Sequence, residues 1–186
     1  MTNPAVWLLV VLAAIGVWVV IIYNRMVALT ARSRNAWSDI DVQLKRRHDL
    51  VPNLVTTVQG YAAHEKNLFE NVARARAQAM GATSPKDSSQ AEAGLESSLK
   101  TLFALSEAYP NLKASDNFVE LQRQLADVEN NIQYARRYYN AVVRDFNTLI
   151  QSIPAKMVAG TLGFREMFYF QAEADERDPV AFSLTK

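Results

Sequence analysis

From Val6 to Tyr23 the chain runs eighteen residues without a single charge, and this stretch constrains everything behind it. As a helix rising about 1.5 Å per residue it covers most of a hydrocarbon core of roughly 30 Å. Within lipid, a lone segment can satisfy its backbone groups only as a helix. Trp7, Trp18 and Tyr23 lie toward its ends, the depth at which aromatic side chains concentrate in membranes. No Lys or Arg precedes the stretch, whereas Arg25, Arg32 and Arg34 follow it closely. That asymmetry predicts a single-pass protein of the inner (plasma) membrane, with residues 1–5 outside, 6–23 spanning and the remainder cytoplasmic. A cleaved signal peptide does not fit: there is no basic leader, the apolar run is long, and Ile21-Ile22-Tyr23 is not a small-residue cleavage site.

The chain has no cysteine, so disulfides, thiolate metal sites and a cysteine-linked lipoprotein anchor are all excluded. Twenty Lys and Arg residues against nineteen Asp and Glu leave a net charge of only +1, and nucleic acid is not an expected partner. Residues 24–170 are enough for one domain with a single core, and 171–186 read as a mobile acidic tail, with Glu173 to Asp178 the charged part.

Helical period orders the domain. Phe118, Leu121, Leu125, Val128, Ile132, Ala135, Tyr139, Val142, Phe146 and Leu149 follow a 3,4 alternation, the seam of a long helix of coiled-coil type. Behind the span a looser series runs through Trp37, Ile40, Leu44, Val51, Leu54, Val58, Tyr61, Leu68, Val72 and Ala75. It predicts a first helix continuing to Ala79 and stopping at Met80-Gly81 with the glycine left-handed. Pro52 falls inside this helix, where it cannot donate to the His48 carbonyl and should kink the chain without breaking it. Arg47 and Glu65 interrupt the apolar spacing, and a buried charge of this kind must find a partner on a neighbouring helix. Ser84-Pro85 opens a second helix, with Leu95, Leu99, Leu102 and Leu105 as its stripe and Tyr109-Pro110 as its end. Ser115 or Asn117 caps the long helix, Ile153-Pro154 closes it, and a short fourth helix follows around Met157. The aromatic run Met167 to Phe170 is expected to pack on the others. The fold class is therefore all-α: one transmembrane helix continuing into a bundle of about four long antiparallel helices.

Chemistry finds little support. The two histidines, His48 and His64, are sixteen residues apart, and His64-Glu65 lacks the second histidine of a zinc-protease helix. No glycine-rich phosphate loop occurs, the serines of the 83–98 region have no triad partners, and Asp39 and Asp41 lie on different helix faces. No cofactor or metal is expected. His48-Asp49-Leu50-Val51-Pro52 resembles the phosphoacceptor box of sensor histidine kinases, yet the proline stands one residue early and no ATP-binding domain follows. The bland reading is a partly exposed histidine at the kink.

Longer strings carry a resemblance across nearly the whole chain. Ala36-Trp37 with Ile40-Asp41, Gln43 to Arg47 followed by Asp49 to Val55, Gly60-Tyr61-Ala62 with His64-Glu65, Glu107 to Ala114, and Tyr139-Asn140 are similar to the LemA family. Phe146-Asn147 and Ile153-Pro154 stand where that family tends to have Tyr-Asn and Phe-Pro. The resemblance implies a membrane-anchored bundle of long antiparallel helices with a cytoplasmic domain, and it supplies no reaction.

The function expected is a non-enzymatic, membrane-anchored scaffold or adaptor that self-associates and binds a protein partner not identified by the sequence. The alternatives are a signalling component phosphorylated on His48, or an unrecognised hydrolase. Helix lengths locate the expected interface. A first helix reaching Ala79 outruns the long helix by roughly 30 Å, leaving Met26, Leu29, Trp37 and Ile40 as an exposed apolar stalk, with Arg47 and Glu65 specifying register or contact. The other arrangement folds the short fourth helix down over the stalk.

Overall fold

The computed structural model describes residues 4–170, and among these there is helix and no strand. Helix α1, Pro4–Gln59, is one unbroken element of 56 residues that carries Pro52 inside it. Its first part is bare: the most apolar eighteen-residue window is 0% buried. Tyr23 is still exposed, but Met26, three positions on, is completely buried. A helix that is apolar on every side and covered by no protein fits a membrane span, and the change at Met26 marks where protein packing takes over from lipid.

The expectation of one helix to Ala79 is corrected. Helix α1 stops at Gln59, and α2 is a separate element, Lys66–Gly81. Between them the chain turns a corner, with Tyr61 N–H donating to the Val58 carbonyl at 3.0 Å, Ala62 N–H to the same carbonyl at 2.9 Å and Glu65 N–H to Ala62 at 3.2 Å. Gly60 weakens the helix at that point, and the tight hydrogen bonds buried Ala62 while Tyr61, expected on the seam, is turned out to solvent. Gly81 ends α2 as expected, but not in the left-handed conformation, because Gly163 is the one described residue with positive φ. The stop is made instead by extended Ala82, whose N–H returns to the Ala79 carbonyl.

Helix α3, Pro85–Ser106, starts as the sequence indicates: Ser84 Oγ accepts from Asp87 N–H at 3.1 Å, and Pro85 occupies the first turn. Helix α4 is one short turn, Pro110–Lys113. Helix α5, Asp116–Gln151, has 36 residues, so Ser115 stands at its start and Asn117, the other expected cap, lies inside it. Helix α6, Ala155–Ala159, is the short helix expected around Met157, the sixth element in the structure because α2 is separate from α1 and α4 is added.

The chain divides into two compact units. One comprises the described parts of Met1–Ile40 and Tyr134–Tyr169, the other those of Asp41–Gln133 and Phe170–Lys186. In the first, α1 and α5 run antiparallel: Trp37 meets Tyr139 edge to face at 5.6 Å, and Met26 and Leu29 pack with Phe146, Leu149, Ile150, Ala155 and Ala159. In the second, Val51, Leu54, Val58, Phe69, Val72, Leu95, Leu99, Leu102, Leu112, Phe118 and Leu125 form one core. The aromatic run packs only in part, since Met167 is half-buried and Phe170 buried while Phe168 and Tyr169 are exposed. The acidic tail, 171–186, lies outside the described residues.

Candidate interaction sites

The apolar stalk is not exposed. Met26 and Ile40 are fully buried, Leu29 nearly so, and Trp37 is half-buried against Tyr139. The physical reason is length. Because α1 stops at Gln59, its part beyond the span is no longer than α5, and the end of α5 with α6 covers Met26 and Leu29. The sequence-based premise that these four face water is therefore corrected, in favour of the short helix folded over the stalk.

Arg47 is buried and paired, within the second unit. Its guanidinium donates through Nη1 to Glu92 Oε2 on α3 at 3.1 Å and through Nη2 to Glu129 Oε2 on α5. His48, the next residue on α1, meets the other oxygen of Glu92 through Nε2 at 2.6 Å. The Glu92 side chain is only 5% exposed and that of Glu129 29%. One buried carboxylate thus accepts from two consecutive residues of α1, and one guanidinium joins three helices. This is the neighbouring-helix partner that burial of Arg47 requires. His48 is buried and bonded, so the partly exposed histidine is corrected too. Glu65 is no seam residue: it is half-exposed at the corner, in the cap position of α2, and makes no side-chain cap hydrogen bond.

Sequence reasoning passed over Glu92, Glu129 and Arg76. Glu92 had a signal, for it continues the Leu95, Leu99, Leu102 stripe one step toward the N-terminus, and a carboxylate on an apolar stripe demands a cation. Beside the cluster is a cleft of about 320 Å³, with Leu99, Phe103, Leu125 and Ala126 as apolar wall and Glu96, Lys100 and Gln122 as rim. Among the described residues no group of His, Asp and Glu has metal-holding geometry.

On the surface of the first unit α5 shows large aromatic side chains: Tyr134 is 65% exposed and Tyr138, one turn on, 54%. The Arg137 guanidinium carbon lies 4.7 Å from the Tyr134 ring centroid, a cation–π distance. On the opposite side of the helix Tyr139 is buried, donates to the Phe168 carbonyl at 3.0 Å, and has its phenol pushed above the ordinary value by burial.

The model of the LemA family matches residues 36–183. The chain is similar to magnetosome protein MamQ 2 of Paramagnetospirillum magneticum and to magnetosome protein MamQ of Magnetospirillum gryphiswaldense, each 24% identical over 184 residues, covering 85% of this chain and 68% of the relative. Protein LemA of Metamycoplasma hominis is 26% identical over 151 residues, with 79% of this chain and 68% of the relative covered. The family match takes in Arg47, His48, Glu92 and Glu129 and every helix after the span, and the protein belongs to the LemA family.

Proposed function

We propose that this LemA-type membrane protein is a self-associating scaffold, anchored by the start of α1 and meeting a second copy through the α5 face that carries Tyr134, Arg137 and Tyr138. The observation behind this reading is the exposure of two tyrosines on adjacent turns beside an arginine, the residue types in which interface energy concentrates. A second copy is the favoured occupant for two reasons. The anchor confines all copies to a plane, which raises their local concentration, and a Tyr–Arg–Tyr face is self-complementary across a two-fold contact, cation to ring in both directions. A non-enzymatic role agrees with the inward use of the ionic side chains: Arg47, His48, Glu92 and Glu129 satisfy one another, and no relative cited carries a reaction in its name. Arg25, Arg32 and Arg34 behind the span favour a cytoplasmic body at the inner membrane.

The test uses the absence of native cysteine. Tyr138→Cys should crosslink between chains in native membranes, Arg123→Cys should not, and Tyr134→Ala with Tyr138→Ala should lower the mass of the detergent-solubilised particle. A monomeric particle for the unmodified chain, together with no Tyr138→Cys dimer, overturns the reading. Orientation is tested separately by a reporter fused after Lys186, which should be active only in the cytoplasm.

A further inference from the structure

The first unit contains a second surface, beside the end of the apolar stretch of α1. The register of α1 and α5 shows it. Trp37 stands against Tyr139, and Met26 lies in one cluster with Phe146, Leu149 and Ile150, so moving the same number of residues along each antiparallel helix from the Trp37–Tyr139 pair sets Gln151, the last residue of α5, about level with Arg25. Helix α5 therefore runs back to the level at which the apolar stretch of α1 ends. The turn that follows carries Ile153, at 84% exposed the barest large apolar side chain described.

The chain then stays at that level. In α6, Ala155 and Ala159 are buried against the start of the protein-packed part of α1, while Met157, on the opposite side, is 75% exposed. Gly163, at φ 79°, reverses the backbone in a conformation that favours glycine. The reversal returns Phe164 to the foot of the span, where its ring meets Tyr23 at 6.0 Å and Phe146 at 6.2 Å. Tyr23 is the last residue of the apolar stretch, so with residues 6–23 as the anchor Phe164 lies at headgroup depth. Three exposed cations, Arg25, Lys156 and Arg165, share this level, and the carboxylate Glu166 already accepts from Gln151 at 2.7 Å.

We propose that the turn after α5, together with α6, is an interfacial foot: Ile153 and Met157 enter the boundary between headgroups and acyl chains, and Lys156 and Arg165 bind anionic lipid phosphate. The occupant is the bilayer itself, because the surface is continuous with the span and combines bulky apolar side chains with cations, the composition of segments that lie in the membrane plane. Such a foot fixes α5 at two points and sets the height of the Tyr134–Tyr138 face above the lipid. The proposal rests on the reading of residues 6–23 as the anchor, but not on self-association.

The full chain, reconstituted in phosphatidylcholine vesicles with or without phosphatidylglycerol, carries an environment-sensitive fluorophore on one introduced cysteine. Ile153→Cys and Met157→Cys should show blue-shifted emission, quenching by nitroxide lipid and loss of iodide quenching. Val11→Cys is the buried reference and Arg123→Cys the aqueous one. Adding Lys156→Gln and Arg165→Gln should abolish the extra burial seen in phosphatidylglycerol. If Ile153→Cys and Met157→Cys respond like Arg123→Cys while Val11→Cys is quenched by lipid, the foot is overturned and the anchor stands. If Val11→Cys is itself aqueous, both readings fall.

Discussion

Arg76 donates from Nε to the backbone carbonyl of His48 at 2.8 Å, and that carbonyl is the one Pro52 leaves without a helical donor. A proline inside a helix removes the amide that would bond four residues back, and a buried carbonyl without a partner costs free energy. Here α2 supplies the missing donor as a charged side chain. Arg76→Met should therefore cost about 1–3 kcal/mol, read from urea midpoints, and Pro52→Ala, which restores the amide, should reduce that cost. The expected coupling in the double-mutant cycle is about 1 kcal/mol. Strict additivity would mean that Arg76 acts elsewhere.

The buried ionic cluster gives a prediction opposite to the one the sequence alone supports. If Arg47 only specified register or contact, leucine there ought to leave the domain folded. With Arg47 bonded to Glu92 and Glu129, Arg47→Leu leaves the Glu92 carboxylate, whose side chain is 5% exposed, with its bond to His48 but without its guanidinium. The loss should be about 3–5 kcal/mol. Adding Glu92→Leu removes that carboxylate and should recover most of it, since an apolar replacement of a buried pair is often neutral or better. Thermal unfolding of the single and double variants decides the point: a double variant no better than the single would assign the cost to packing.

The boundary between what could be read and what could not follows from the physics of period. Spacing alone carries the seam of α5, because Phe118, Leu125, Val128, Ile132, Tyr139 and Phe146 repeat over the whole helix and are all buried. Capping chemistry is local, so Ser84-Pro85 was legible too. The corner at Gly60 was not, since Tyr61 and Leu68 keep the helical spacing across a break that period cannot register. That one error lengthened the first helix and produced the false exposure of Met26, Leu29, Trp37 and Ile40. Long-range partners were equally hidden. The burial of Arg47 was foreseeable from its place on the seam and that of Glu92 from its place on the α3 stripe, but Glu92 and Glu129 lie 45 and 82 residues from Arg47, and only packing pairs them.

Core and surface of α5 should separate cleanly. Leu125→Ala, Ile132→Ala and Phe146→Ala should each cost about 2–5 kcal/mol, whereas Arg123→Ala should change stability little, because its bonds to Glu120 and Asp127 are solvent-exposed. What Arg123 does change is protonation. Its bond holds the Glu120 carboxyl at about 2, with Gln124 contributing. A depressed carboxylate contributes above its unfolded value and loses that contribution as pH falls through the folded one, so the window lies in strong acid. By NMR titration, Glu120 should return toward the usual carboxylate value in Arg123→Ala. An unchanged titration would break the assignment of cause.

Tyr139 sets the alkaline side. Burial raises its phenol above the ordinary tyrosine value, since the charged phenolate would sit among Trp37 and the apolar wall of α1 and α5. The fold favours the neutral form, so this contribution is complete below the unfolded value and is lost as pH rises from there through the folded one. Among the seven tyrosines, the one removed by Tyr139→Phe should be a late ioniser in ultraviolet difference titration. Tyr139→Phe also deletes the hydroxyl that holds the Phe168 carbonyl, at a cost of about 0.5–1.5 kcal/mol near neutral pH. Above the unfolded tyrosine value its stability should fall less steeply with pH than that of the unsubstituted chain. Equal slopes would show that the alkaline loss originates at another group, and that the Tyr139 phenol reaches solvent when it ionises.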